Sequence, residues 1–116
     1  MSVTYAEVEK VALAFPGATK SITHGSPSWR IGKKFFTWVR PELESLVVHV
    51  DSIDERDGLI ESDPALFHIT DHYRDYPIVL VRLDKVSMKL VRAALERRFR
   101  SIATKKLVAE YEGRHR

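Results

Sequence analysis

The stretch from residue 28 to residue 50 constrains the fold most. Ser28-Trp29-Arg30-Ile31, then Gly32-Lys33, then Lys34-Phe35-Phe36-Thr37-Trp38-Val39-Arg40 reads as two strands around a tight turn, with glycine supplying the positive φ such turns need. Residues 43–50, entered through Pro41-Glu42, read as a third strand. Strands joined by connections this short must be antiparallel, because a parallel pair needs a crossover of roughly a dozen residues. The flanking sequence supplies a cover for such a sheet. Thr4-Tyr5-Ala6-Glu7 has capping-box spacing and opens a helix whose Val8, Val11, Ala12 and Phe15 form one apolar stripe, ended by Pro16-Gly17. Ser52-Ile53-Asp54-Glu55 repeats the capping box and opens a short acidic helix that Ser62-Asp63-Pro64 closes. Residues 66–70 suggest a short strand. The nearly continuous apolar run of residues 78–83 predicts a strand covered in part on both faces. Ser87 caps a final helical region carrying Met88, Val91, Ala94, Leu95, Ile102, Ala103, Leu107 and Tyr111, with a break expected at Arg98-Phe99-Arg100-Ser101. The expected fold is α+β: a two-layer sandwich, one domain over residues 1–116, whose antiparallel sheet carries the N- and C-terminal helices on one face.

Several kinds of chemistry are excluded or lack an anchor. Without cysteine there is no disulfide scaffold, thiolate zinc site, Fe–S cluster or cysteine nucleophile. The five glycines are scattered, so no phosphate-cradling loop occurs and no cofactor is expected. His24-Gly25-Ser26-Pro27 brings a histidine near a serine but lacks the strand-to-helix elbow of a hydrolase. His68 and His72 have i, i+4 spacing, yet Ile69, Thr70 and Pro77 argue against the helix that would make them joint metal ligands. No metal site and no enzyme activity are expected. No apolar run approaches a membrane span, and residues 1–10 lack a signal-peptide pattern, so the expectation is a cytoplasmic protein with no membrane partner.

Charge is unevenly distributed. The net charge is +3, but residues 1–84 carry 9 basic and 13 acidic side chains while residues 85–116 carry 10 and 3. A basic segment raises the prospect of a polyanionic partner. Within it, Lys85, Lys89 and Arg92 share a helical face, followed by Arg97, Arg98 and Arg100. In the hairpin, strict alternation sends Phe36, Trp38 and Arg40 to one face and Phe35, Thr37 and Val39 to the other. Lys33 and Lys34 at the tip face solvent, where they either solubilise a turn or lie along a phosphate backbone.

The run Phe15-Pro16-Gly17, then residues 24–36 with His24-Gly25-Ser26-Pro27 and Gly32-Lys33 ahead of Phe35-Phe36, resembles the start of the MmcQ/YjbR-like family of small bacterial proteins. Asp63-Pro64-Ala65-Leu66-Phe67, His72-Tyr73 and Val79-Leu80-Val81-Arg82-Leu83-Asp84 resemble its middle, and residues 90–107 its closing helices. The resemblance implies a CyaY-like fold and a DNA-binding role attributed to a double-wing arrangement of hairpins. At Pro77-Ile78 the chain departs from the tryptophan many members carry there, which puts a pocket built on that aromatic in question. CyaY itself binds iron through acidic side chains, and Asp51, Asp54, Glu55, Asp57, Glu61 and Asp63 form an analogous cluster, but likeness of fold does not carry function.

Two functional expectations follow. In the first, Lys33, Lys34, Arg30 and Arg40 of the hairpin and Lys89, Arg92, Arg97, Arg98 and Arg100 of the helices contact DNA phosphates. About five neutralised phosphates would give a salt slope near −4.5. In the second, a concave surface lined by His24, Trp29, Trp38 and His72 takes a small ligand or a protein.

Overall fold

The computed structural model describes residues 3–23 and 25–114. Helix α1 (Tyr5–Leu13) leads into strands β1 (Ala18–Thr23), β2 (Ser26–Ile31), β3 (Lys34–Arg40) and β4 (Ser45–His49). Helix α2 (Ile53–Ser62), the short β5 (Phe67–His68), β6 (Ile78–Arg82), α3 (Met88–Ile102) and α4 (Lys105–Arg114) complete the chain. The strands form a six-stranded sheet in the order β1-β2-β3-β4-β6-β5, and every neighbouring pair is antiparallel. The α+β sandwich expected from the sequence is the architecture found.

Local signals set the helix starts. Thr4 and Glu7 form the reciprocal capping box of α1, and Ser52 and Ser87 accept from the backbone N–H groups of Glu55 and Leu90 to cap α2 and α3. The break between the last two helices falls later than the sequence suggests. Phe99 is fully buried and prolongs the apolar stripe of α3, so the helix runs through residues 98–101, and Thr104, not Ser101, accepts from the Leu107 N–H to start α4.

One face of the sheet packs under the helices. Trp29, Ile31, Phe36, Val39, Leu46, Val48, Val79 and Val81 meet Val8, Ala12, Val91, Leu95 and Phe99 in the main core. Phe15 sits among Phe36, Phe99 and Tyr111, with ring centroids 5.1–5.3 Å away. Gly17, at φ +78°, lets α4 close over this nest, since a Cβ there would lie 2.9 Å from Leu107 Cδ1. The opposite face is only half covered. There Val47, Ile78 and Leu80 bury Tyr73, with Trp38 and Leu43 at the margin. The apolar run of β6 is thus covered on both faces, as its sequence requires.

The segment bearing Tyr73 is fastened by one buried arginine. Arg56 of α2 is 4% exposed, and its Nη1 donates to the carbonyls of Tyr73, Arg74 and Tyr76 at 3.1, 2.8 and 3.0 Å. Its remaining donors face Asp57, at 2.9–3.0 Å. Arg56→Met takes a charged donor from three carbonyls; those of Tyr73 and Tyr76 keep the backbone N–H groups of Tyr76 and Ile78, while that of Arg74 is left without this partner. We expect a loss of about 3 kcal/mol in urea unfolding, with Arg56→Lys intermediate because an ammonium lacks the forked geometry. A Met variant as stable as the parent would show that the clamp does not hold the segment.

Candidate nucleic-acid interface

The β2–β3 hairpin carries a bulge that redistributes its side chains. Trp29 pairs with Thr37 and Arg30 with Phe35, so Phe36 is an extra residue with no partner in β2. The strict alternation expected from the sequence therefore fails. Phe36 turns inward with Thr37 and Val39, all three fully buried, while Phe35, Trp38 and Arg40 share the open face. On its β4 side the hairpin also runs past its neighbour, while β1 accompanies β2 up to Ile31. The last β3–β4 pair is Trp38 with Val47, and the Phe35 carbonyl beyond it accepts from Arg98 Nε and Nη2, at 3.1 and 2.7 Å. At the tip Gly32 has φ +61° in a two-residue turn between Ile31 and Lys34.

Beside the hairpin, on the open face, lies a cavity of about 600 Å³ lined by Thr23, Ser26, Phe35, Trp38, Arg40, Glu42, His72 and Tyr73. Phe35 and Trp38 form one wall, with ring centroids 5.3 Å apart. His72 and Tyr73 form the other, edge to face at 4.9 Å. Between them Arg40 donates from Nη1 to the Tyr73 hydroxyl and from Nε to Glu42. Its own backbone hydrogen bond, and then the Arg40 contact, hold the Glu42 carboxyl below its ordinary pKa, and the pair presents a guanidinium donor next to a carboxylate acceptor.

The cations expected to meet DNA separate into two groups. Arg97 binds Asp51 and Glu55, Arg100 binds Glu96 and Glu112, Arg40 binds Glu42, and Arg98 is half-buried against the Phe35 carbonyl, with burial lowering its pKa. These four are occupied within the fold. Lys33, Lys34, Lys89 and Arg92 are exposed and have no ion-pair partner among the described residues. Arg30 lies 4.0 Å from the centroid of the Phe35 ring and donates to the Lys33 carbonyl, which places its charge at the hairpin tip. Arg92 sits apart from the hairpin, in a groove between helices that also contains Glu7, Lys10 and Glu96.

The expected concave surface is assembled only in part. Trp38 and His72 line the cavity, whereas Trp29 is 1% exposed in the main core and faces the helices. His24 lies outside the described residues. Thr23, Ser26, Glu42 and Tyr73 were not anticipated: β1 is polar and reads as loop, and Tyr73 comes to the site through long-range contacts, the Arg56 clamp and the Arg40 hydrogen bond among them. His68 does not join His72: its Nε2 is 2.8 Å from Ser45 Oγ, and Ser45 is fully buried. Among the described residues no three acidic or histidine side chains converge to hold a metal ion, and no helix is long and apolar enough to cross a membrane.

A half-covered antiparallel sheet with a basic hairpin and an aromatic concavity defines a small protein of α+β class. The model of one family, YjbR, matches residues 13–101, and the chain belongs to the YjbR family. It is also similar to uncharacterized proteins of Mycobacterium bovis and Mycobacterium tuberculosis, each 26% identical over 125 residues, spanning 93% of this chain and 95% of the relative. No solved structure matches it.

His49 ends β4 behind Trp38, with ring centroids 5.7 Å apart. Burial, and then the charge of Arg98, push its pKa down to about 4, and burial followed by Arg82 lowers that of His68. Unfolded histidine therefore takes up protons at a higher pH than the folded one, so stability falls as pH drops from about 6.5 towards 4. Urea unfolding should show about 2 kcal/mol lost between pH 7 and pH 5, most of it absent in His49→Gln. A parent protein equally stable at both pH values would contradict this.

Proposed function

We propose that the chain is a non-enzymatic DNA-binding protein that uses the β2–β3 hairpin as its wing. The observation that carries this reading is the hairpin tip. It extends past β4, and it holds Lys33 and Lys34 exposed and without ion-pair partners among the described residues, beside the Arg30 guanidinium. The DNA-binding role that the sequence resemblance implies points the same way. Three of the four arginines of α3 are assigned a different part: Arg97 ties α3 to α2, Arg98 anchors the wing, and Arg100 ties α3 to α4.

Fewer phosphate contacts follow than the sequence suggested. Three cations at the wing give a salt slope near −2.7 in place of about −4.5. Gel shifts on duplex DNA from 50 to 200 mM salt should give that shallow slope, flattened further by Lys33→Glu with Lys34→Glu and unchanged by Lys89→Glu. A slope that responds to Lys89 and ignores the hairpin would move the interface to the helices.

A second reading, a module for a small ligand or protein, is favoured by the cavity that Trp38 and His72 line. Tight binding of a small molecule with no DNA retention at 50 mM salt would select it.

A further inference from the structure

The wing and the cavity share a residue. Phe35 carries the Arg30 guanidinium on its ring and also lines the cavity wall beside Trp38. The open face therefore runs without interruption from cations at the hairpin tip, over two aromatic rings, to the far wall of His72 and Tyr73. We infer that this face binds unpaired DNA, with a base held in the cavity against Trp38 and Phe35 and its phosphate at Arg30 and Lys33. The inference rests on the DNA-binding reading and adds the form of DNA recognised.

Three features favour a single strand over a duplex. A base in a duplex hides both of its faces in the stack, so aromatic rings in a concavity can meet only a base that is free. A backbone-tracking set of cations beside stacking platforms is the combination that single-strand binding requires, and sequence preference is then slight because every base has a π-face. Charge along the face is graded in the matching sense. Glu42 neutralises Arg40 inside the cavity, where an uncharged base would lie, and the unpaired cations stand at the tip, where a phosphate would lie. The Arg40 N–H groups beside the Glu42 carboxylate also offer a donor and an acceptor to the hydrogen-bonding edge that pairing would otherwise occupy.

The face has been kept open by the fold itself. The Arg56 clamp sets Tyr73 over Val47, Ile78 and Leu80, so the segment it holds covers the β4–β6 half of the sheet and leaves the β1–β3 half uncovered. The bulge at Phe36 puts Phe35 on the same side as Trp38.

The test is fluorescence anisotropy with a labelled thymidine oligonucleotide and a labelled duplex at 50 mM salt, on the parent, Trp38→Ala, Trp38→Phe and the Lys33→Glu, Lys34→Glu double variant. The parent should hold the single strand at least tenfold more tightly than the duplex. Loss of the Trp38 platform should weaken single-strand binding about 5- to 100-fold and leave duplex binding unchanged, while Trp38→Phe retains most of it. The double variant should weaken both. Because Trp38 borders the second core, the parent's own tryptophan emission is read alongside. Trp29 is buried, so quenching by the single strand reports Trp38. Equal affinity for both DNA forms, or single-strand binding without quenching, would overturn the inference while leaving the wing in place. Binding of neither form would remove the DNA-binding reading as well.

Discussion

One extra residue in β3 decides what the open face of the sheet can do. Phe36 has no partner in β2, and the main core takes it in beside Phe15. The chain on either side then resumes its alternation out of phase, which leaves Phe35 and Trp38 as neighbours on one face. With regular pairing these rings would point in opposite directions. A bulge also disturbs the hydrogen-bond ladder. Just past the end of β4, Arg98 supplies two donors to the Phe35 carbonyl, so an arginine in the basic part of the sequence stabilises the hairpin from beneath. Packing of Phe36, display of Phe35 and Trp38, and the set of the wing are consequences of the same local geometry.

The other wall of the cavity depends on a long-range contact. Arg56 gathers three carbonyls of residues 73–76, and the turn it holds presents His72 and Tyr73 opposite Trp38. The Tyr73 hydroxyl then accepts from Arg40, which joins the two walls. A buried arginine is well suited to this, because it cannot shed its charge and its fork reaches several acceptors together. Removing it would take the charged donor from all three carbonyls and leave that of Arg74 without this partner, while those of Tyr73 and Tyr76 keep a backbone N–H.

What was legible in the sequence was local. Thr4, Ser52 and Ser87 mark helix starts because a cap is satisfied within its own first turn, and Gly32-Lys33 marks the hairpin because the turn chemistry is contained in the turn. Strand β1 escaped notice because Ala18–Thr23 carries little apolar pattern, and its pairing with β2 makes it a strand. The register shift at Phe36 is equally non-local, being set by what the core accepts. The basic end of the chain was visible as composition, yet its meaning was not. Asp51 and Glu55 lie more than 40 positions from Arg97, and only the fold brings them together. The Glu96–Arg100 pair, at i, i+4, was readable from spacing alone. Lone Arg56 in an acidic helix was the available signal for the clamp.

The electrostatics that remain are modest. Once the internal pairs are set aside, exposed cations remain on α3 and α4 as well as at the hairpin tip, and those at the tip, Lys33 and Lys34 beside Arg30, are the ones next to an aromatic surface. The two tryptophans make this account open to a direct test, because one is in the main core under the helices and the other lines the cavity. The measurement is the pair of indole N–H resonances in a nitrogen-15 correlation spectrum during titration with a single-stranded thymidine oligonucleotide. The Trp38 signal should move together with the amides of Arg30 and Lys33 while Trp29 stays fixed. A fixed Trp38 signal, with shifts instead at Lys89 and Arg92 of α3, would contradict it.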